Sequence, residues 1–203
     1  MKNEQVEELK GLVQKEIEAL QRIPVDETLL NAVDLIHQQV HLKKGKVVIA
    51  GMGKAGQIGM NMATTFSSTG TPAVFIHPGE AQHGDIGVIQ ENDVVMLISN
   101  SGVTNEVIML AKLVMNLHAN VQIISLTGDR EGELPELADV VLLTGKPDEI
   151  CPLGLTPTTS TTVMTVIGDL LVVALIKKIG FTKEDYAKRH HSGYLGHKAR
   201  NNG

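Results

Sequence analysis

Tryptophan is absent and aromatic residues make up only 2% of the 203-residue sequence. A core built from this composition is aliphatic, and a stacking platform for single-stranded nucleic acid has no side chains to stand on. Positive charge is also short: 18 Lys and Arg against 23 Asp and Glu leave a formal net charge of -5. An acidic chain without a basic stripe argues against nucleic acid and anionic membranes as partners, while leaving room for one cationic pocket that holds a small anion. Cysteine occurs once, as Cys151, so no internal disulfide is expected. The N-terminus is charged from Lys2 onward where a signal peptide would be apolar, which points to the cytoplasm. The longest apolar run, Val163 to Ile176, contains Gly168 and Asp169 and is shorter than the ~20 residues of a spanning helix, so no transmembrane segment is expected.

What is present is the alternation of an α/β protein. Val6, Leu9, Leu12, Val13, Ile17 and Leu20 recur at helical spacing until Pro24. After Asp26, a natural N-cap, Leu29, Val33, Ile36 and Val40 form a second apolar stripe ending near Lys43 to Gly45. These two helices precede the first strand and serve either a subunit contact or packing on their own domain. Strands are expected at Lys46 to Ala50, Ala73 to His77, Asp93 to Ser99, Val121 to Thr127 and Asp139 to Thr144. Helices are expected at Ala55 to Ser68, Thr104 to Asn116, Leu134 to Leu137 and Thr161 to Lys178. Nearly unbroken apolar strands such as Val94 to Ile98 suit a parallel sheet covered on both faces. The expected fold is a three-layer α/β/α sandwich on a five-stranded parallel sheet, one domain in all. It comprises N-terminal helices over 1–44, an α/β core over 45–180 and a polar, histidine-rich tail over 181–203 that is either loosely ordered or part of a site.

Ligands of such sheets sit beyond the carboxyl ends of the strands, so the loops starting at Gly51, His77, Ser99, Thr127 and Thr144 should carry the chemistry. Gly51, Gly53 and Gly56 satisfy the G-x-G-x-x-G dinucleotide spacing after a strand, but the acidic ribose partner is missing because the second strand ends in Phe75-Ile76-His77-Pro78. The glycines also serve tight strand-to-helix packing. Lys54, inside the glycine turn, has few structural reasons to be there. Ser99-Asn100-Ser101-Gly102-Val103-Thr104 offers three hydroxyls and free N–H groups around a glycine, a phosphate cradle in which one hydroxyl is expected to act as N-cap. His77, His83, Asp85 and His190 lack a compact metal-ligand spacing, so no metal is expected.

Gly51-Met-Gly-Lys-Ala-Gly, Ser99-Asn-Ser-Gly, His83-Gly-Asp and Cys151-Pro-Leu-Gly-Leu-Thr-Pro-Thr-Thr-Ser-Thr-Thr together resemble the sugar isomerase (SIS) domain of arabinose-5-phosphate isomerases. The likeness runs from the N-terminal helices to about Lys198, without the tandem CBS modules that many members carry. It implies cofactor-free interconversion of ribulose 5-phosphate and arabinose 5-phosphate for synthesis of the acidic sugar Kdo, destined for lipopolysaccharide or capsule. It implies a homotetramer and places functional roles on Lys54, Glu106, Glu149, His190 and His83, the histidines reaching a site from neighbouring subunits. Substrate-binding positions fall on Gly51, Gly53, Ser99, Asn100, Ser101, Thr104, Thr158, Thr159 and Ser160.

Enediolate isomerisation needs a base beside a carbonyl, an acid at the next carbon, and positive charge at the developing oxyanion. Glu149 or Glu106 can be the base, Lys54 the charge, and His83 or His190 the proton shuttle. Glu149 is the favoured base, with a carboxyl pKa expected to be raised in a partly dry pocket. The family's Gly-Lys-Ser-Gly is here Gly53-Lys54-Ala55-Gly56, its Ser-Gly-Glu is Ser101-Gly102-Val103, and its tail His-Pro-Gly-Gly is His190-His191-Ser192-Gly193. The N–H at Ala55 survives the first change. Two other readings share the fold: a non-catalytic sensor of a sugar phosphate or a Kdo nucleotide, and an isomerase of another ketose phosphate.

Overall fold

A computed structural model describes residues 2–201, the side chains of His197 and Asn201 excepted. Five strands form one parallel sheet: β1 (Val47–Gly51), β2 (Ala73–Ile76), β3 (Val94–Ile98), β4 (Gln122–Thr127) and β5 (Val140–Leu143), in the order β2-β1-β3-β4-β5. Each lies within about a residue of the run that predicts it. Neighbouring strands pair in simple register, Val47 with Ala73 and Val94, and Ile124 with Val140.

The side-chain period of two divides the core into two layers. Val47, Ile49, Val94, Met96, Ile98, Ile124 and Leu126 face one way, against α2 (Glu27–Ile36), α3 (Gly53–Ser68) and α7 (Thr159–Ile179). Val48, Ala50, Val95, Leu97 and Ile123 face the other, against α4 (Pro78–Ala81), α5 (Asn105–Leu117) and α6 (Glu133–Glu136). The sheet is thus covered on both faces, which is why β1 and β3 carry no polar side chain at any position.

The two N-terminal helices behave differently. Leu29, Ala32, Val33 and Ile36 of α2 are buried in the first layer, and the helix continues through one wider turn at His37–Leu42, where the Lys43 N–H reaches the Gln38 carbonyl five residues back. Of α1 (Lys2–Gln21) only Ala19 is buried, and Val6, Leu9, Val13 and Ile17 make an exposed apolar stripe.

Two expectations are sharpened here. The apolar run beginning at Val163 extends backward through hydroxyl residues into α7, a helix of 21 residues, long and apolar enough to cross a membrane by length and composition. In this fold it is a core helix, packed on α3, α2 and α1, with Val163, Ile167, Leu171 and Leu175 buried. Of the two alternatives for the tail, loose order does not hold for its described residues, which form α8 (Lys183–Arg189) and α9 (Gly193–Asn201). Gly180, at φ +64, lets α7 end while the Phe181 N–H bonds back to the Ile176 carbonyl. Thr182 and Asp185 then open α8 with a reciprocal capping box.

Candidate active site

The strand order reverses between β1 and β3, so the loops after these two strands diverge to opposite faces and leave a crevice at their carboxyl ends. A cavity of about 800 Å³ lies there. Its walls come from Met52, Lys54 and Ala55 after β1, from Ile98, Ser99, Asn100, Ser101, Val103 and Thr104 after β3, and from Pro157, Ser160, Thr161 and Met164 at the start of α7. Asp129, Glu131, Gly132 and Lys146 complete the mouth.

Three helices begin at this cavity. The residues preceding α3, α5 and α7 are Met52, Thr104 and Thr158, and none of these makes a side-chain capping bond. Thr104 corrects an expectation: it stands at the N-cap position of α5, but its hydroxyl pairs with the buried Ser99 hydroxyl at 2.8 Å instead of capping the helix. One hydrogen of that pair is spent between the oxygens and the other is free for a ligand. The first amides of α3 and α5 are therefore open to an anion, with the dipoles of both helices behind them. Gly102, at φ +69, bends the loop so that its carbonyl accepts from Leu134 N at 2.9 Å, while Ser101 Oγ accepts from Val103 N at 3.3 Å.

Gly51 ends β1 buried beneath the start of α3, and Gly53 opens that helix at φ +54. A Cβ on Gly56 would stand 2.5 Å from the Gly51 carbonyl oxygen, so the glycines do set the close strand-to-helix approach. Lys54 is exposed, lines the cavity, and takes part in no ion pair among the described residues.

Glu149 lies one layer behind the lining. Its Oε2 accepts from Thr158 N at 2.7 Å, Thr158 Oγ1 at 2.9 Å and Ser160 N at 3.3 Å, so the carboxylate supplies the anionic cap that α7 otherwise lacks. Burial pushes this carboxyl up, but the donors from Ser160 and Thr158 outweigh it and hold the pKa below the usual glutamate value. The raised pKa expected from the sequence is corrected accordingly: local hydrogen bonds to the ionised form win over partial desolvation. Thr159 is buried and bonded to Glu16 and to Ile150 N, not exposed to the cavity.

Other sequence-nominated residues are not brought to the cavity within one chain. Glu106 is exposed in the first turn of α5 and is not part of the lining. His83 is exposed in the loop after α4, beyond edge strand β2. His190 ends α8, stacked on Tyr186 with ring centroids 3.7 Å apart and its Nδ1 3.0 Å from the Tyr186 carbonyl. Among the described residues no three His, Cys, Asp or Glu side chains are grouped so as to hold a metal ion.

Sequence reasoning pointed to the loops after Thr127 and Thr144 but singled out none of the residues by which they form the far wall. Asp129 and Lys146 form an ion pair at 3.0 Å across the mouth, and the Glu131 N–H and Lys146 lower the Asp129 carboxyl pKa. Lys146 sits at φ +48, an unusual backbone for a side-chain-bearing residue. Cys151 is half-buried in the next loop, where the Thr156 hydroxyl and the backbone N–H groups of Thr156, Leu153 and Leu155 bring its thiol down to about 7.

Residues 42–174 match the SIS domain family. The arabinose 5-phosphate isomerase KdsD of Escherichia coli K12 is 47% identical over 187 residues, covering 91% of this chain and 56% of that protein. The chain thus spans about half the length of the curated relatives it matches. A crystal structure of a Bacteroides fragilis protein inferred to be a phosphosugar isomerase involved in capsule formation superposes with a TM-score of 0.92 at 56% identity, covering 94% of this chain and 99% of that one. The E. coli CFT073 protein c3406 in complex with arabinose 5-phosphate superposes with a TM-score of 0.86 at 32% identity, covering 94% and 99%.

Proposed function

The chain belongs to the SIS domain family, and on that premise we propose that it is an aldose-ketose isomerase interconverting D-ribulose 5-phosphate and D-arabinose 5-phosphate through an enediolate. The observation that carries this reading is the convergence of Lys54, the Ser99–Thr104 hydroxyl pair and the uncapped starts of α3 and α5 on one cavity at the sheet's switch point. That set of donors suits a phosphate and a developing oxyanion and leaves carbon chemistry to a neighbouring carboxylate.

In this mechanism the phosphate rests on the start of α5, with Ser101 and the free hydroxyl hydrogen of the Ser99–Thr104 pair donating, and the sugar carbonyl faces Lys54. Glu149 removes the proton next to the carbonyl. Because its carboxyl is held fully ionised, it is a weak base, and the reaction depends on Lys54 and the helix starts to stabilise the enediolate oxygen. The proton returns at the adjacent carbon, and His83 and His190 serve ring opening and proton transfer from neighbouring subunits. The functional unit is a homotetramer, a reading supported by the exposed stripe of α1 and by a cavity lining that includes neither histidine of its own chain. The product feeds Kdo synthesis in the cytoplasm, and a Kdo nucleotide is proposed as a regulatory ligand of the same loops.

Incubating the purified protein with ribulose 5-phosphate and following arabinose 5-phosphate tests the reading, and turnover is expected without added metal or cofactor. Phosphosugar binding by calorimetry with no turnover would replace the enzyme with the sensor. Turnover of a hexulose phosphate in preference would reassign the substrate.

A further inference from the structure

We propose that Glu16, on α1, is a positioning residue that holds the Glu149 segment against the start of α7 by fixing the hydroxyl of Thr159. The inference rests on the base role proposed above for Glu149. Thr159 Oγ1 donates to Glu16 Oε1 at 2.9 Å and accepts from Ile150 N at 3.1 Å. A hydroxyl has a single hydrogen, so spending it on Glu16 turns the oxygen's lone pairs toward Ile150. Ile150 directly follows Glu149, whose Oε2 takes the three donors of Thr158 and Ser160.

The segment at 149–150 is therefore tied to the first turn of α7 twice, once through the Glu149 carboxylate and once through Ile150, and Glu16 orients the second tie. Thr159 is 1% exposed, so no bulk water stands ready to replace Glu16 as acceptor. The second oxygen of Glu16, Oε2, is buried and has no hydrogen-bond partner among the described residues. An orphaned buried carboxylate oxygen is a cost to the fold that an apolar side chain would avoid. Its placement makes sense as an acceptor aimed at one hydroxyl. Ser160, which binds Glu149 through its N–H, lines the cavity, so a slip in this ladder moves the base relative to the substrate.

The test compares Glu16→Ala, Glu16→Gln and Thr159→Val in the full chain. Three quantities are read: turnover of ribulose 5-phosphate, melting temperature, and the Glu149 titration followed by carbon-13 NMR of labelled glutamate. In Glu16→Ala, kcat is expected to fall about tenfold, the size of effect that a small misplacement of a reacting group produces. KM should hold within about twofold. The Glu149 carboxyl should titrate at higher pH than in the native chain, as its donors drift away. Glu16→Gln keeps a carbonyl acceptor and should restore most of kcat, and Thr159→Val should reproduce the loss.

A folded Glu16→Ala with native kcat and native Glu149 titration overturns the proposal. So does an equal loss in Glu16→Gln and Glu16→Ala that follows the melting temperature, which marks a purely structural residue. Should Glu16→Ala fail to fold, Glu16→Gln and Thr159→Val decide by the same criteria. Should the native chain show no turnover, the isomerase reading fails, while the NMR titration alone still upholds or overturns the coupling of Glu16 to Glu149.

Discussion

Glu149 shows how one side chain is pulled between two roles. Burial raises its pKa, the donors of Ser160 and Thr158 lower it, and the donors prevail. Folding therefore favours the ionised form. The stability this contributes is present above the unfolded-chain pKa and is lost as pH falls through the lower, folded value. The native chain should accordingly lose melting temperature on acidification below the ordinary glutamate range, and Glu149→Gln should lose less over the same window. Parallel curves would show that the helix start does not depend on the charge. The same substitution should reduce turnover about a thousandfold while leaving phosphosugar binding nearly intact, as removal of a general base does. Unchanged turnover would remove Glu149 from that role. No sequence pattern could have set the direction of this pKa, because the donors lie 9 and 11 residues away and act only once α7 starts beside them.

At the scale of elements, the glycine turn and α3 form the rigid side of the cavity. Gly56 faces backbone, with a Cβ falling 2.5 Å from the Gly51 carbonyl oxygen, whereas a Cβ on Gly168 of α7 meets only the flexible side chain of Met62, at 2.8 Å. Backbone cannot yield as a methionine can. Gly56→Ala should destabilise the protein by about 2 kcal/mol in denaturant titration and impair turnover with it. Gly168→Ala should cost less than ~1 kcal/mol, because Met62 can repack and alanine favours the helix. Equal losses would mean that the α3–β1 contact is softer than its geometry. The elements themselves were legible to within a residue or so at every strand, since β-branched runs between Gly, Pro, Asn and Asp are local signals. The helices of the tail were not. Lys183–Arg189 has only Tyr186 and Ala187 among charged residues and is held by its capping box and by packing on α9, so it has no apolar stripe to announce it.

For the whole molecule, the roles proposed for His83 and His190 require a neighbouring subunit, since neither lines the cavity of its own chain. If they cross subunit boundaries, Lys54→Ala and His83→Ala should each be inactive as homo-oligomers and regain a measurable fraction of turnover when dissociated, mixed and reassembled. Light scattering should give four chain masses. Exchange of subunits without recovered turnover would keep the histidine out of the neighbour's site. An active monomer would contradict the shared site altogether.

The sequence by itself determined the parallel sheet, the two polar glycine loops at its carboxyl edge and the family, because hydrophobic period, turn chemistry and contiguous motifs are properties of neighbouring residues. The tertiary structure alone decided which of the nominated residues share a cavity. It drew in Asp129, Glu131 and Lys146, left Glu106 on the surface, and turned Glu149 into the cap of α7. It also joined Glu16 to Thr159, 143 residues apart in the chain. Such contacts follow from the strand order β2-β1-β3-β4-β5 and the helices it stacks, and a distance set by that order leaves no trace in local spacing.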